Sequence, residues 1–266
     1  MKKILSVLLV SILLIGCGEE RVLQGDLNKK GEKYYFESKL FNGIEFNIYD
    51  DGQLEFERNF KDGKKNGLQK NWYKNGQLKY EINYKNGRKD GYVWYASKDG
   101  SFKSWYENGQ LESERNFKDY CVEGLAKNWY ENGQLESELS YKDCKQNGAH
   151  KYWYKNGQLN IEINYKNGRK DGLDKHWYES GALESVWIYK NGKRDGFFEG
   201  YHENGKLKYQ VNYWDGYTVG RWMGWNKNGQ LVKDWLYTEN GIEELYNYNP
   251  GEEYVQNLWP TNFNTR

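Results

Sequence analysis

The sequence lacks both an excess of charge and a large stock of aliphatic residues. Its 39 basic and 38 acidic residues nearly cancel, and this balance excludes a global electric field that would attract nucleic acid. Only 37% of the 266 residues are hydrophobic and 18% are aromatic, so much of the apolar mass lies in Tyr and Trp, which carry a polar tip. A chain of this composition can cover one thin layer, but it does not fill a globular core.

Long apolar runs are also missing, except for one at the N-terminus. Two lysines precede a run from Ile4 to Gly16, whose length of about 13 residues falls short of the roughly 20 that span a bilayer. The run ends in the tetrapeptide LIGC, which resembles the signal of bacterial lipoproteins, in which the cysteine is acylated and becomes the mature N-terminus. We expect residues 1–16 to be removed and Cys17 to anchor the chain through acyl chains. An ordinary cleaved signal and an uncleaved anchor are the alternatives.

This anchor predicts where the protein is located. Gly18, rather than Asp, follows the cysteine, which favours the outer membrane in a bacterium with two membranes. In a cell with one membrane, the chain would lie on the outer face of the plasma membrane. Either way, the sequence predicts a lipid-anchored protein of the bacterial cell envelope.

What the chain has in abundance is a repeat of 24 residues. The segment WYKNGQLKYEINYKNGRKDG at 72–91 returns as WYKNGQLNIEINYKNGRKDG at 153–172. One marker glycine per copy lies at Gly52, Gly76, Gly109, Gly133, Gly157, Gly181, Gly205 and Gly229. The step is 24 throughout, except that 33 residues separate Gly76 from Gly109, and we assign the surplus to an insertion around Ser101 to Gly109. A fixed period of this size indicates a repeat architecture.

Each copy contains the alternating pattern of a β-strand. Counting from the marker glycine as zero, positions +2, +4, +6 and +8 are mostly apolar or aromatic and the positions between them are mostly polar, as in LKYEINY at 78–84. Upstream, positions −8 and −4 hold Leu68 and Trp72 in the same copy. A three-residue loop at the glycine pairs position −4 with +2, and the pattern therefore places Leu68 and Trp72 on the face of Leu78.

The repeat predicts an all-β protein, an elongated single-layer meander of stacked β-hairpin repeats with period 24. Return turns such as KNGRKDG, with glycines at +11 and +15, close the copies. Eight copies give about sixteen strands, and at roughly 4.8 Å per strand the sheet would be about 75 Å long. One hairpin cannot bury its aromatic face alone, so each copy is stabilised by its neighbours.

The predicted division of the chain follows these boundaries. It comprises a signal peptide at 1–16, a lipidated N-terminus with tether and N-terminal cap at 17–40, the repeat array at 41–245 and a C-terminal cap at 246–266. The last segment holds the only two prolines, Pro250 and Pro260, which suit the end of a sheet because proline cannot donate a ladder hydrogen bond.

The tips read Tyr-x-x-Asn-Gly and the returns Gly-x-x-x-Gly, and in these motifs the chain resembles the bacterial variant of the MORN-repeat proteins. The resemblance covers about Phe41 to Gly241 in eight in-register copies. It implies an elongated, MORN-like β-hairpin sheet used for contacts with proteins or membrane surfaces. Many bacterial members carry an antitoxin label of the YwqK type, so an antitoxin or immunity component is one alternative function.

No signature of catalysis is present, and we expect the protein not to be an enzyme and to need no cofactor. The sequence contains no phosphate-binding glycine loop, nucleophile elbow or cysteine-pair metal motif. Paired carboxylates such as Glu112 and Glu114 recur in many copies, so we interpret them as solvated strand residues. Successive members of the set His150, His176 and His202 would lie about 12 Å apart, too far for one metal ion, and we interpret them as surface residues.

Besides Cys17, the chain has only Cys121 and Cys144, at positions +12 and +11 of successive copies. Equivalent points two strands apart lie about 9.6 Å from each other, beyond easy disulfide reach. A loop adjustment would still join the two cysteines in an oxidising compartment, so the sequence leaves this bridge open.

Two features are candidate binding surfaces. Return turns stacked about 9.6 Å apart would form a basic edge, and the tyrosines at position −3 are predicted to lie on the wetter face. The candidate residues are Tyr73, Tyr130, Tyr154, Tyr178, Lys85, Arg88, Lys89, Lys166, Arg169 and Lys170. Each feature also has a purely structural interpretation, because lysines keep turns soluble and tyrosines can cover their neighbours.

Together these patterns favour a membrane-anchored, non-catalytic protein-interaction scaffold. The expected partners are the membrane, through lipid on Cys17, and another protein, whereas nucleic acid is not expected. Binding of cell-wall or other glycan is the alternative, because rows of exposed tyrosine can stack on sugar rings.

Overall fold

The computed structural model describes residues 19–84, 99–238 and 241–247, and within these ranges the chain forms strands and turns but no helix. The strands are β1 (Glu20–Leu23), β2 (Asn28–Lys30), β3 (Lys33–Phe36), β4 (Lys39–Leu40), β5 (Gly43–Ile48), β6 (Leu54–Lys61), β7 (Lys64–Trp72), β8 (Leu78–Tyr84), β9 (Asp99–Trp105), β10 (Leu111–Lys118), β11 (Cys121–Trp129), β12 (Leu135–Lys142), β13 (Lys145–Gln146), β14 (Gly148–Trp153), β15 (Leu159–Lys166), β16 (Arg169–Trp177), β17 (Leu183–Lys190), β18 (Lys193–Arg194), β19 (Gly196–Tyr201), β20 (Leu207–Trp214), β21 (Tyr217–Trp225), β22 (Leu231–Thr238) and β23 (Gly241–Asn247).

Twenty of these strands form one long sheet. From β5 onward each strand pairs antiparallel with the next one in the chain, except that β13 and β14 both pair with β12, and β18 and β19 both pair with β17. The succession of hairpins confirms the predicted all-β meander of repeats. Marker glycines at the tips have φ between 80° and 91°, a conformation that favours glycine, which explains why this residue recurs in every copy.

The N-terminal end of the sheet is closed by a small separate layer. Strand β1 pairs in parallel with β5, and β2, β3 and β4 form a three-stranded sheet. Val22, Phe41 and Phe60 are buried together, and Tyr34 and Phe36 pack against them. Strand β1 begins at Glu20, so only two residues separate the described sheet from Cys17, which lies outside the described residues.

The tip register agrees with the three-residue loop predicted from the sequence. Trp72 lies opposite Leu78 and Asn71 lies opposite Tyr80, because the register shifts between Asn71 and Trp72. Leu78 and Tyr80 point to the same side of the sheet, so Asn71 and Trp72 lie on that side as well. The same shift follows in the other hairpins, for example before Trp129 and before Trp177. One side of the sheet therefore carries positions +2, +4, +6, +8, −4, −5 and −7. We call this side the core face.

The bulge makes one prediction wrong. Leucine at position −8 was expected on the core face, but it lies on the other side, which we call the opposite face. Leu125 and Leu173 are 47% and 39% exposed. Their neighbours at −7 are the buried ones, as Ala126 and Asp174 show. Because a bulge adds one residue to a strand, it reverses the side on which every residue upstream of it lies.

The predicted insertion also lies elsewhere. Residues 99–105 form the regular strand β9, which pairs with β8 on one side and β10 on the other, and Gly109 closes an ordinary tip. Ser101 to Gly109 is thus a standard part of a repeat, not an insertion. The surplus residues fall between β8 and β9, in the segment 85–98, which lies outside the described residues.

A disulfide joins Cys121 to Cys144, with their Cα atoms 5.0 Å apart. The expectation that these cysteines lie two strands apart was wrong. Gly124 is opposite Tyr141, and continuing this register outward by three residues places Cys144 directly opposite Cys121. The pair therefore spans one strand spacing, which falls within the range that disulfides bridge.

Candidate functional site

The tip edge is tied together by the four tyrosines predicted as binding residues. Each of them donates a hydroxyl hydrogen bond to a backbone carbonyl in the next repeat: Tyr73 to Trp105, Tyr130 to Trp153, Tyr154 to Trp177 and Tyr178 to Tyr201, at 2.7–3.0 Å. All four side chains are partly buried. Burial, the largest cause, and nearby glutamates raise the pKa of these phenols, which keeps them protonated as donors.

Two of the three histidines do not lie on the surface as the sequence suggested, whereas the side chain of His176 is 32% exposed. His150 is fully buried and His202 is 8% exposed. His150 occupies position −7 of the core face, and its Nε2 contacts the Ser140 carbonyl at 2.9 Å. His202 stands at position −3, where its Nε2 contacts the Trp225 carbonyl at 2.9 Å and so replaces the tip tyrosine. In the described ranges, no three His, Cys, Asp or Glu side chains come close enough together to hold a metal ion.

A buried carboxylate marks the middle of the core face, and sequence reasoning missed it. Asp174 is 1% exposed; it accepts hydrogen bonds from Lys170 Nζ at 2.7 Å and from His176 Nε2 at 2.9 Å. Burial acts to raise the pKa of Asp174, but the bonds from His176 and Lys170 outweigh it and hold the pKa below its usual value. The usable signal was the row at position −7, where Asp174 follows His150 in the preceding copy.

The rest of the core face is aromatic and only partly covered. Tryptophans at position −4 and tyrosines at +8 form two rows along the array; Tyr213 in the second row is buried, but nine of the others are partly exposed. They are Trp72, Trp105, Trp129, Trp153, Trp177, Tyr84, Tyr141, Tyr165 and Tyr189. The three-stranded sheet covers this face at Phe60 in the first repeat, and within the described residues no second layer lies over the later repeats.

The predicted basic edge is divided between the two faces. Lys166 and Arg169 are exposed and lie opposite each other at the return turn. Lys170 turns to the core face, where it binds Asp174 and lies 5.0 Å from the ring centre of Tyr189. The other three predicted residues, Lys85, Arg88 and Lys89, lie outside the described residues.

The glutamates form cross-strand ion pairs on the opposite face. Lys at position −6 faces Glu at +5, as in Lys127 with Glu138 at 3.1 Å and Lys151 with Glu162 at 3.4 Å. These side chains are about a third exposed, which agrees with the interpretation of a solvated strand face. Such cross-strand pairs stabilise the register of the two strands.

An apolar patch interrupts this charged face near its C-terminal end. We define the opposite-face patch as Leu173, Ile188, Phe197, Trp214 and Tyr217. Trp214 is 68% exposed and Tyr217 is 57% exposed, and the two lie directly opposite each other across a return turn. The sequence prediction did not include this patch, because the bulge that turns position −8 outward was not part of it.

The part of the chain that the structure describes contains no helix with the length and apolarity that a membrane span requires. Comparison with known families shows a match to the family model described as "MORN repeat variant". The matched residues are 41–62, 65–86, 98–119, 122–143, 146–167 and 194–215. The hairpins around Gly181 and Gly229 lie outside these segments and have the same tip geometry. Comparison with the curated proteins returns no match.

Proposed function

Because this chain is a MORN-repeat protein, we propose that it acts as a non-catalytic protein-interaction scaffold, held in a bacterial cell envelope by lipid on Cys17. The observation that carries the proposal is the open core face. A single layer of strands presents two rows of partly exposed Trp and Tyr, which are the residues that most often dominate protein interfaces. A partner would complete the burial that neighbouring repeats begin.

The polar cluster gives this face a feature that a partner can recognise. Asp174 fixes Lys170 and His176, whose side chains are 33% and 32% exposed. Lys170 therefore offers a hydrogen-bond donor at the centre of an aromatic surface. An acidic or amide side chain of the partner would pair with Lys170, and such polar contacts set orientation more than affinity.

Two features support a location in the envelope. The disulfide between Cys121 and Cys144 suits an oxidising compartment outside the cytosol. The short distance in sequence from Cys17 to β1 suits a chain that is held close to a membrane at its N-terminal end. With so short a tether, the array would project its later repeats away from the lipid as a rigid body.

The tip tyrosines favour protein over glycan as the ligand. Stacking on a sugar needs an open ring face, but Lys79 Nζ lies 5.2 Å from the ring centre of Tyr73 and Lys155 Nζ lies 5.8 Å from that of Tyr130. The hydroxyls are also bound to carbonyl groups. These side chains hold the tips together, whereas the core-face tryptophans remain available for a partner.

Cross-linking of the intact protein in its own membranes, followed by affinity purification and mass spectrometry, tests this function. We expect one protein to be recovered with the wild type and lost with Cys17→Ser, because the anchor places the array beside its partner. If the two chains recover the same background of proteins, the proposed scaffold at the membrane is wrong.

A further inference from the structure

The repeats allow each exposed position to be compared with its counterparts in the same chain. Position +9 of the return turn is Lys in the six copies that precede it, among them Lys142, Lys166 and Lys190, but it is Trp214 in the seventh copy. Position +12 holds Arg169 and Lys193 in two earlier turns and Tyr217 in this one. Both aromatic side chains are more than half exposed, so the fold itself does not require them. A solvent-exposed aromatic pair in place of two cations indicates a contact surface.

The same surface extends into the neighbouring strands. Leu173 lies opposite Ile188 across β16 and β17, and Phe197, 56% exposed, continues the row on β19. With about 200 Å² for a whole aromatic side chain, the exposed parts of the patch amount to roughly 450 Å² of apolar area. Two such patches placed together, with their charged surroundings, reach the roughly 1,000 Å² that a specific interface needs.

We propose that two copies of this chain pack face to face through the opposite-face patch, related by a twofold axis that runs along the array. Both arrays have two strands per repeat, and their repeats are therefore equally spaced. Facing rows of side chains consequently stay aligned along the whole contact. Sheets packed in this way lie about 10 Å apart, and each supplies the second layer that the other lacks. A twofold interface uses the same patch on both copies.

Charge selects this axis. On the opposite face, Lys190 and Lys193 lie two residues nearer to the return edge than the row formed by Leu173, Ile188 and Phe197. A twofold axis along the array keeps each strand over the same strand of the partner, so it places Lys190 over Val186 and Lys193 over Glu199. An axis along the strands through β19, in the middle of the patch, would instead place Lys193 of one copy on Lys193 of the other, which is unfavourable.

The lipid anchor selects the same axis, a point that rests on the proposed function. An axis along the array keeps the two N-termini at one end, so that both Cys17 residues reach one membrane. An axis along the strands would send them to opposite ends of the dimer. Two independent features of the chain thus lead to the same parallel arrangement.

The mass of the lipid-free chain tests the dimer apart from the anchor and from any other partner. We expect sedimentation equilibrium of residues 17–266 with Cys17→Ser to show twice the monomer mass at micromolar concentration. The W214K/Y217K variant, which restores the residue type of the earlier turns, should raise the dissociation constant at least about 30-fold, as the loss of aromatic hot spots does. I242K is the matched control, since Ile242 is 52% exposed, lies opposite Tyr237 on the core face and should leave the mass unchanged.

Pairs of introduced cysteines test the axis. Lys193→Cys combined with Glu199→Cys should form intermolecular disulfides on mild oxidation, whereas Lys193→Cys alone should not. A monomeric wild type at about 100 μM would overturn the proposal, because an interface of standard size holds at that concentration. So would a dimer that W214K/Y217K leaves intact, or one in which Lys193→Cys alone cross-links. Far-ultraviolet circular dichroism of each variant separates loss of the dimer from loss of the fold.

Discussion

The hydroxyl of Tyr130 donates a hydrogen bond of 2.7 Å to the carbonyl oxygen of Trp153, which stands at the corresponding tip of the next repeat. Tyr106 makes the same contact with Trp129 one copy earlier, and Tyr154 makes it with Trp177 one copy later. The tip edge is therefore a ladder of side-chain bonds between copies. This ladder gives a physical reason why the array keeps one sequence, since stability in a repeat protein lies largely between neighbours.

We expect Tyr130→Phe to lower the free energy of unfolding by about 1 kcal/mol, because the Trp153 carbonyl loses its side-chain partner while the ring remains. Urea unfolding followed by tryptophan fluorescence measures the change. Tyr217→Phe is the matched control, since that ring is 57% exposed. An equal loss in both variants would show that the tip hydrogen bond is not its source.

The disulfide should contribute about 3 kcal/mol to stability, because it closes a loop of some two dozen residues in the unfolded chain. Cys144→Ser is expected to lose this amount in urea unfolding under non-reducing conditions. Added reductant should bring the wild type to the level of the variant and leave the variant itself unchanged. A wild type that does not respond to reductant would contradict the bridge between Cys121 and Cys144.

His150 should make the fold less stable in mild acid. Burial lowers the pKa of His150, and the bond to the Ser140 carbonyl offsets this only in part. Because the unfolded chain has the ordinary pKa of about 6.5, it binds the proton first. Stability is therefore complete above that pH and falls as the pH drops from there toward the lower pKa of the folded state.

His150→Gln removes this titration and keeps the local contact. Gln69 holds the same position in another copy, and its Nε2 donates to the Asn59 carbonyl at 2.9 Å, the counterpart of the His150 bond. Urea unfolding at pH 7, 6 and 5 should show the wild type losing stability relative to the variant. Parallel curves for the two proteins would argue against the buried neutral histidine.

Asp174→Asn should cost about 2 kcal/mol at pH 7, because Lys170 and His176 lose a buried carboxylate but remain partly hydrated. The pKa of Asp174 is lowered in the fold, so its contribution is complete above about pH 4, the ordinary carboxyl range, and is lost as the pH falls through the folded-state pKa. The gap between wild type and variant should close in acid.

The control for this change is Asp215→Asn. Asp215 pairs with Lys193 at 2.7 Å, but both side chains are more than half exposed, so we expect a loss below about 0.5 kcal/mol. Urea unfolding from pH 7 to pH 2 gives both comparisons. A gap for Asp174→Asn that does not depend on pH would mean that lost packing, rather than charge, is responsible.

Period and turn chemistry were enough to predict the hairpins and the pairing of Trp72 with Leu78. The consequence of that pairing was harder to see. A bulge beside Trp72 reverses the side of the sheet on which the upstream residues lie, and the other hairpins have the same bulge. It places Leu173 on the opposite face and Asp174 on the core face, and for this reason the patch at Phe197 was not predicted. The alternation of apolar and polar residues in the sequence does not reveal a bulge, because no particular residue type marks the extra residue.

The contacts between copies were the second feature that the sequence did not predict. Cys121 and Cys144 looked two strands apart because they were compared by repeat number, whereas the pairing register makes them neighbours. His202 looked like a drifted surface residue, yet it makes the tip contact that tyrosine makes elsewhere. In both cases the contacting residue lies in the next copy, so the sequence of a single repeat does not indicate the contact.

Photo-cross-linking from the core face tests the scaffold most directly. A benzoylphenylalanine would replace Trp153, which lies on the core face of β14, or Lys151, which lies on the opposite face of the same strand. In cells that make the lipidated chain, we predict a discrete adduct with a different protein from position 153 and no such adduct from position 151. The absence of any adduct at 153, or equal adducts from both positions, would contradict the proposal that the open aromatic face binds a protein.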